Sequence, residues 1–282
     1  MTNSVLSLRF KICAPERSAA NQMDAIIGAG GIAKPDDPLI ELLTQDDHKA
    51  LLPIAGKPMA QWVLDAVGAT ERIENVIIIG LMPEHGLYCS AKPVYYMNSA
   101  GSIFDNARAG CARVMELQPR STRTLWVSAD LPLLTPSMLD WFIDQTMKSV
   151  HELYYQIIEQ SVMESRFPAC KRTYTKLKGK TVCGGDVSAI NPNVASGAHP
   201  AFSKISAARK SVAKQAALVG LWPLLLLLTR QMTTDHAATI VRKRLGLHGV
   251  FIDTPYPEMG MDVDKPEQYE IVQRELEQRT KR

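Results

Sequence analysis

The feature that most constrains this sequence is its alternation, through the first 158 or so residues, of short apolar runs with helix-length amphipathic segments. Such a chain folds as strand–helix–strand units, which stack their strands into a largely parallel sheet with helices against it. The pattern predicts strands over Asp24–Gly28, Asn75–Gly80, Pro93–Met97, Thr124–Ala129 and Leu153–Ile158. Helices are predicted over Met59–Val67, Ser102–Leu117 and Ser137–Met147. Pro58 sits where a first-turn proline fits, and Thr135-Pro136 supplies a cap followed by a proline at the first helical position.

After Glu159 the pattern becomes irregular. Residues 160–195 read as loops and short strands, and residues 200–246 as helical with breaks near Gly220 and Thr233. A late strand, Val250–Asp253, precedes a charged closing helix from Pro266 onward, and the sequence has no internal repeat. The fold class is therefore α/β: a Rossmann-like, mostly parallel sheet with a largely helical elaboration over 160–250. A length of 282 residues suits one domain from 23 to 282, with 1–22 a disordered N-terminal extension.

Charge and composition exclude several classes. A net charge of +3 that no stretch concentrates argues against nucleic-acid binding. The five cysteines are odd in number and include no C-x-x-C pair, which suits reduced thiols in a cytoplasmic protein better than disulfides or a zinc knuckle. The apolar run Leu224–Leu228 falls far short of the ~20 residues a membrane span needs. Arg9, Lys11, Glu16 and Arg17 interrupt any signal-peptide core. No H-x-x-x-H pair, G-x-S-x-G elbow or G-K-[ST] loop occurs, so zinc hydrolase, serine hydrolase and P-loop readings fall away.

Gly28-Ala29-Gly30-Gly31-Ile32-Ala33 formally matches the dinucleotide fingerprint G-x-G-x-x-[GA]. That fingerprint needs a helix to begin at once, and Lys34-Pro35-Asp36-Asp37-Pro38 cannot begin one, since the two prolines lack donors and bias their neighbours away from helix. The second reading is a glycine turn opening a loop whose amides wrap the phosphates of a nucleoside triphosphate and whose lysine reaches them. His48-Lys49-Ala50-Leu51-Leu52-Pro53 and Gly56-Lys57-Pro58-Met59 both offer that lysine.

The stretch from Ala29-Gly30-Gly31 through Lys49-Ala50-Leu51-Leu52-Pro53 to Gly56-Lys57-Pro58-Met59 resembles the opening signature of the MobA-like NTP transferases. The resemblance implies a nucleotidyltransferase fold, a nucleotide held by Ala29, Gly30, Gly31, Lys34 and Lys49, and magnesium as cofactor. It departs from the family at Pro35, where members carry an arginine on the triphosphate, and Lys34 beside it supplies a point charge rather than a fork. In the family an Asp in a D-x-P setting binds the magnesium, and Asp130-Leu131-Pro132 matches it. Met261-Asp262-Val263-Asp264-Lys265-Pro266-Glu267 resembles the second acidic stretch, so the implied metal set is Asp130, Asp262 and Asp264. Alternation puts Asp262 and Asp264 on one side of an extended segment, and Asp264 is also placed to cap the following helix.

Asn98, Gly101 and Ser102 fall where the family reads the base, and Ser102 is also a natural helix cap. Gly184, Gly185 and Asp186 resemble the acceptor-side glycine turn, and Lys210 lies on a predicted helix beyond it, either near an acceptor phosphate or as solvated surface charge. Together these imply a magnesium-dependent transfer of NMP from an NTP to a small phosphorylated acceptor, with Lys49 and Asp130 as the catalytic pair. A non-catalytic nucleotide-binding homologue and a dinucleotide-dependent oxidoreductase are the alternatives. The partners expected are small molecules, neither nucleic acid nor membrane.

Overall fold

The computed structural model describes residues 22–43, 47–198, 226 and 228–281. The strands are β1 (Met23–Gly28), β2 (Pro53–Ile54), β3 (Lys57–Pro58), β4 (Ile73–Ile79), β5 (Val94–Met97), β6 (Thr124–Ser128), β7 (Leu153–Glu159), β8 (Thr175–Leu177), β9 (Lys180–Ile190) and β10 (Gly249–Asp253). The helices are α1 (Met59–Ala69), α2 (Ile103–Leu117), α3 (Pro136–Met147), α4 (Gln160–Arg166), α5 (Thr234–Leu245) and α6 (Pro266–Thr280). Eight strands form one sheet in the order β10-β7-β9-β6-β1-β4-β5, with β8 paired to β9, while β2 and β3 make a separate hairpin.

The sheet is mixed but mostly parallel. β1 lies parallel to both β4 and β6, β5 extends β4, and β10 runs parallel to β7. β1 is apolar throughout because it is covered on both faces: Ala25 and Ile27 pack in the cluster under α1 and α3, and Ile26 in the cluster under α2. Caps predicted from the sequence form as hydrogen bonds. Ser102 Oγ accepts from the Asp105 N–H at 3.2 Å to open α2, and Thr135 Oγ1 accepts from the Met138 N–H at 3.4 Å to open α3.

One expectation fails in an instructive place. Residues 180–190, read as loops and short strands, form the eleven-residue β9, inserted between β6 and β7 and antiparallel to both. Its two glycines disguise it. Pairing with β7 runs Tyr155↔Ser188, then resumes at Ile157↔Gly184, so Gly184 and Gly185 stand in a bulge within a strand, not in a turn. A side chain at Gly184 would place its Cβ 2.3 Å from the Tyr155 hydroxyl. The expected lobe over 160–250 is thus in part the sheet itself. Most of its predicted helical stretch, residues 199–225, lies outside the described residues. Thr233 does cap α5, accepting from the His236 N–H at 3.1 Å.

Among the described residues no helix is long and apolar enough to cross a membrane. Cys89, Cys111, Cys170 and Cys183 are free thiols. Burial pushes the Cys111 thiol up to about 12, which leaves it inert.

The end of the sheet opposite the strands' carboxyl ends holds a buried acid, Asp24. Its Oδ1 accepts from the Asn75 side chain at 2.8 Å and from Gln118 at 3.1 Å, and its Oδ2 is sealed without a partner. Burial, first of all, pushes its pKa from 3.8 up to about 6, against the hydrogen bonds from Asn75. An acid whose folded pKa is raised favours the fold in its neutral form, so its ionisation lowers stability between about 3.8 and about 6 and the full cost stands above that window. Asp24→Asn is therefore expected to raise the melting temperature at about pH 8, and to raise it less near pH 4. Equal shifts at both pH values would show that the charge is not the cost.

Candidate functional site

In open α/β sheets ligands gather outside the carboxyl ends of the strands. Here that edge is formed by the ends of β1, β4, β5 and β6, and three of the segments singled out in the sequence cross it. The turn after β1 lies directly on the end of β4. Gly80 has φ +103°, and a Cβ there would stand 2.3 Å from the Gly30 Cα. Gly30 in turn leaves no room on its far side, since its own Cβ would meet Ser99 Oγ at 2.8 Å. Gly31 faces open space. The loop after β5 is pinned by Asn106, whose Oδ1 accepts from the Ala100 N–H at 2.6 Å. Gly30 is thereby packed against the 98–102 loop, with Asn98 exposed, Gly101 at φ +110° and Ser102 capping α2.

No helix follows the glycine turn, so the dinucleotide fingerprint is not realised. The chain loops outward instead and returns. Ile32 bridges to His48, the Ala33 N–H donates to the Asp47 carbonyl at 2.6 Å, and the Lys49 N–H donates to the Gly31 carbonyl at 3.0 Å. The loop thus closes on itself and sets Lys49 beside the glycines, anchored by buried Ala50 and Leu51. Lys34 lies farther out, exposed at the start of a turn closed by the Asp37 N–H on its carbonyl at 2.9 Å.

The charged groups at this edge interlock. Lys49 Nζ lies 2.8 Å from Asp264 Oδ1 and 3.3 Å from Asp37 Oδ2. Burial works against its charge, but the hydrogen bond and attraction of Asp264, with Asp37 adding, hold the ammonium above its usual pKa. Asp130 follows β6, and its backbone carbonyl accepts from the Val263 N–H at 3.1 Å, which ties the acidic 261–264 segment to the edge. Burial raises the Asp130 pKa. Asp264 adds to the rise, and the Ser128 hydrogen bond and Lys49 oppose it. Its Oδ1 is sealed and has no hydrogen-bond partner. Asp186, in the β9 bulge, is pushed up to about 7 by burial first, with the charge of Asp130 next and Arg172 opposing.

Asp262 and Asp264 part company. Alternation holds, since Met261 and Val263 are buried and the two acids point away from them. Asp262, however, forms a direct ion pair with Arg172 and accepts from Gln268 Nε2 at 3.5 Å, while Asp264 pairs with Lys49. The expected trio Asp130, Asp262 and Asp264 is therefore not one cluster: among the described residues no three acids, histidines or cysteines come together as a metal-binding group. Helix capping by Asp264 is not observed either. Lys265 is the residue before α6, and the Asp264 N–H instead donates to Gln268 Oε1 at 3.0 Å. Lys57, the other lysine offered by the sequence, bonds Asp65 at 2.6 Å and lies over the Trp62 ring. Lys210 lies outside the described residues.

Three site residues escaped the sequence analysis. Asp37 stood in plain view within Lys34-Pro35-Asp36-Asp37-Pro38, where a turn-forming Asp between prolines is unremarkable; it does form such a turn, accepting from the Leu39 N–H at 3.0 Å. Asn106 lies in the first turn of α2, where a polar side chain is ordinary, and its bond back to the Ala100 N–H leaves no local signal. Arg172 falls in the irregular stretch and carried no signal.

A lysine, sealed carboxyl oxygens and a glycine turn at one sheet edge can together receive the oxygens of a polyphosphate and the cation that accompanies it. The sheet with β9 inserted antiparallel between β6 and β7 belongs to the nucleotidyltransferase class. The sequence profile of the MobA-like NTP transferase domain matches residues 43–211, more than half of the chain, and the protein belongs to that family. The match includes Lys49 and Asp130 but neither the glycine turn nor Asp262 and Asp264. A hypothetical transferase from Thermus thermophilus superposes with a TM-score of 0.75 at 29% identity, covering 88% of this chain and 99% of that one. CMP:2-keto-3-deoxy-manno-octonic acid synthetase complexed with CTP (TM-score 0.54, 15% identity, 92% and 99% covered) shares the fold. So does 4-diphosphocytidyl-2C-methyl-D-erythritol synthase from Anaerococcus prevotii (0.55, 11%, 91% and 96%). No curated protein matches the sequence.

The Gly80–Gly30 packing yields a test of how this edge is built. Gly80→Ala combines a disfavoured φ with a backbone clash, and is expected to cost about 2–4 kcal/mol, visible as a lower melting temperature. A melting temperature within a degree or so of the unmodified protein would mean that the turn shifts freely.

Proposed function

We propose that the protein is a magnesium-dependent nucleotidylyltransferase that moves an NMP group from an NTP to a small phosphorylated acceptor and releases pyrophosphate. The observation that carries this reading is the convergence of Lys49, Asp264 and the sealed Asp130 where the long loop closes on the glycine turn. Family membership supports the reaction class, and the named neighbours support only the fold.

The donors available to a cation fit magnesium. Asp130 offers a buried oxygen without a partner, Asp264 lies close enough to raise its pKa, and both are hard oxygen ligands. Those two residues would hold the ion, which when bound neutralises phosphate charge. Asp262 is committed to Arg172 and does not enter this set. In the reaction an acceptor oxygen attacks the α-phosphorus in line; the new O–P bond forms as the bond to the β-phosphate oxygen breaks and pyrophosphate leaves. Ala29, Gly30 and Gly31 border the phosphates, and the 98–102 loop faces the base. Lys49 exchanges its carboxylate partners for the α-phosphate oxygens, whose charge grows in the transition state. No covalent nucleophile is required, because holding the two substrates in line supplies much of the rate.

Pyrophosphate release across a panel of sugar and cofactor-precursor phosphates identifies the active pairing. With that pairing, Lys49→Ala is expected to cut turnover roughly 100-fold, a loss of ~3 kcal/mol in transition-state stabilisation. Unchanged turnover would remove Lys49 from the chemistry. Asp130→Asn is expected to fold normally while losing the magnesium dependence of nucleotide binding, read as the melting-temperature gain from NTP with and without the metal. An unfolded Asp130→Asn protein would make that residue structural.

A further inference from the structure

Among the described residues, Arg172 is the basic side chain paired with the acids on the β9 side of the edge. It reaches there from the short loop after α4, a loop fixed by buried Phe167 and Cys170 and by the Cys170 N–H on the Phe167 carbonyl at 3.0 Å. The side chain is 12% exposed, and its guanidinium meets Asp262 in a direct ion pair, Asp186 Oδ2 at 3.7 Å and the Gly184 carbonyl at 3.5 Å. It thus staples the acidic segment 261–264 to the bulge of β9, two pieces of chain that Gly260 also brings into contact, since a Cβ there would stand 3.2 Å from the Gly184 carbonyl.

A half-buried arginine beside the proposed nucleotide site invites assignment as a phosphate anchor. Charge argues otherwise. Arg172 is already paired with Asp262 and lies beside Asp186, whose carboxyl is pushed up to about 7 by burial and by the charges of Asp130 and Asp264. An incoming phosphate would have to break a direct ion pair and then face the released Asp262. The arrangement instead removes one acid from circulation. Asp262 and Asp264 leave the same side of the same extended segment, separated by buried Val263, whose N–H donates to the Asp130 carbonyl at 3.1 Å.

We propose that Arg172 is a positioning residue that withdraws Asp262 from the cation site, leaving Asp130 and Asp264 as its protein ligands. The proposal rests on the reading of this edge as a cation-assisted nucleotide site. With one acid withdrawn, the site carries two carboxylates rather than three and keeps room for phosphate oxygens, which a magnesium octahedron needs. Three carboxylates would hold the ion more tightly in the empty protein and repel the triphosphate that must share it.

Melting temperatures of the unmodified protein, Asp262→Asn, Arg172→Gln and the double variant, in EDTA and with magnesium alone, test this without any assay of turnover. Asp262→Asn is expected to respond to magnesium as the unmodified protein does, because Asp262 is not a ligand. Arg172→Gln leaves a mostly buried carboxylate unpaired and is expected to melt roughly 10 °C lower in EDTA. It should then gain more from magnesium than the unmodified protein gains, as the freed Asp262 joins the ion. The double variant should lose that extra gain and recover most of the stability in EDTA. Loss of the magnesium response in Asp262→Asn alone would overturn the proposal, as would an Arg172→Gln response no larger than that of the unmodified protein. Adding each NTP with magnesium separates the two readings: absence of any NTP effect on the unmodified protein counts against nucleotide binding, whereas the magnesium-only comparison decides Arg172.

Discussion

The Lys49 ammonium stands 2.8 Å from Asp264 and 3.3 Å from Asp37, and that bridge joins the loop after β1 to the acidic segment on which the proposed site depends. Five acids, Asp37, Asp130, Asp186, Asp262 and Asp264, gather at the carboxyl ends of the strands, and among the described residues Lys49 pairs with Asp37 and Asp264, and Arg172 with Asp186 and Asp262. Each cation spans distant parts of the chain. Lys49 ties the loop after β1 to the segment before α6, 215 residues away, and Arg172 ties that segment to β9. Without them the acids on these pieces would raise one another's pKa. In the proposed function this excess of acid is what a cation would offset, and the phosphates that accompany the ion would take Lys49 from Asp264.

That balance depends on close packing beneath it. The glycine turn can lie on the end of β4 only because neither Gly80 nor Gly30 carries a side chain. The bulge of β9 puts Asp186 beside the end of β6, and Gly184 lets the Tyr155 hydroxyl pack on the strand where any Cβ would intrude. These are backbone approaches of a kind that small residues permit and larger ones forbid, and they fix where the charged side chains begin.

Much of this was legible in the sequence because it is local. The main-sheet strands from Met23 to Glu159 and the helices between them follow from apolar runs and caps within a few residues of each other, whereas the short hairpin of β2 and β3 does not. The rejection of the dinucleotide fingerprint likewise followed from two prolines. The glycine turn, Lys49 and Asp130 could be picked out because they resemble a family signature, though their roles remain a proposal. What escaped was non-local. β9 reads as a turn because its glycines serve a bulge that only pairing with β7 explains, and Asp262 and Asp264 look alike until Arg172, some 90 residues earlier, claims one of them. Charge pairing across the fold leaves no periodicity to read.

The central claim is that this edge binds an NTP together with magnesium. Calorimetric titration of the protein with each of the four NTPs, with magnesium and then with EDTA, tests it most directly. The account predicts saturable binding of at least one NTP that weakens at least about tenfold, or ~1.4 kcal/mol, when magnesium is removed. Binding of none of the four in the presence of magnesium, or binding that is indifferent to the metal, would contradict it.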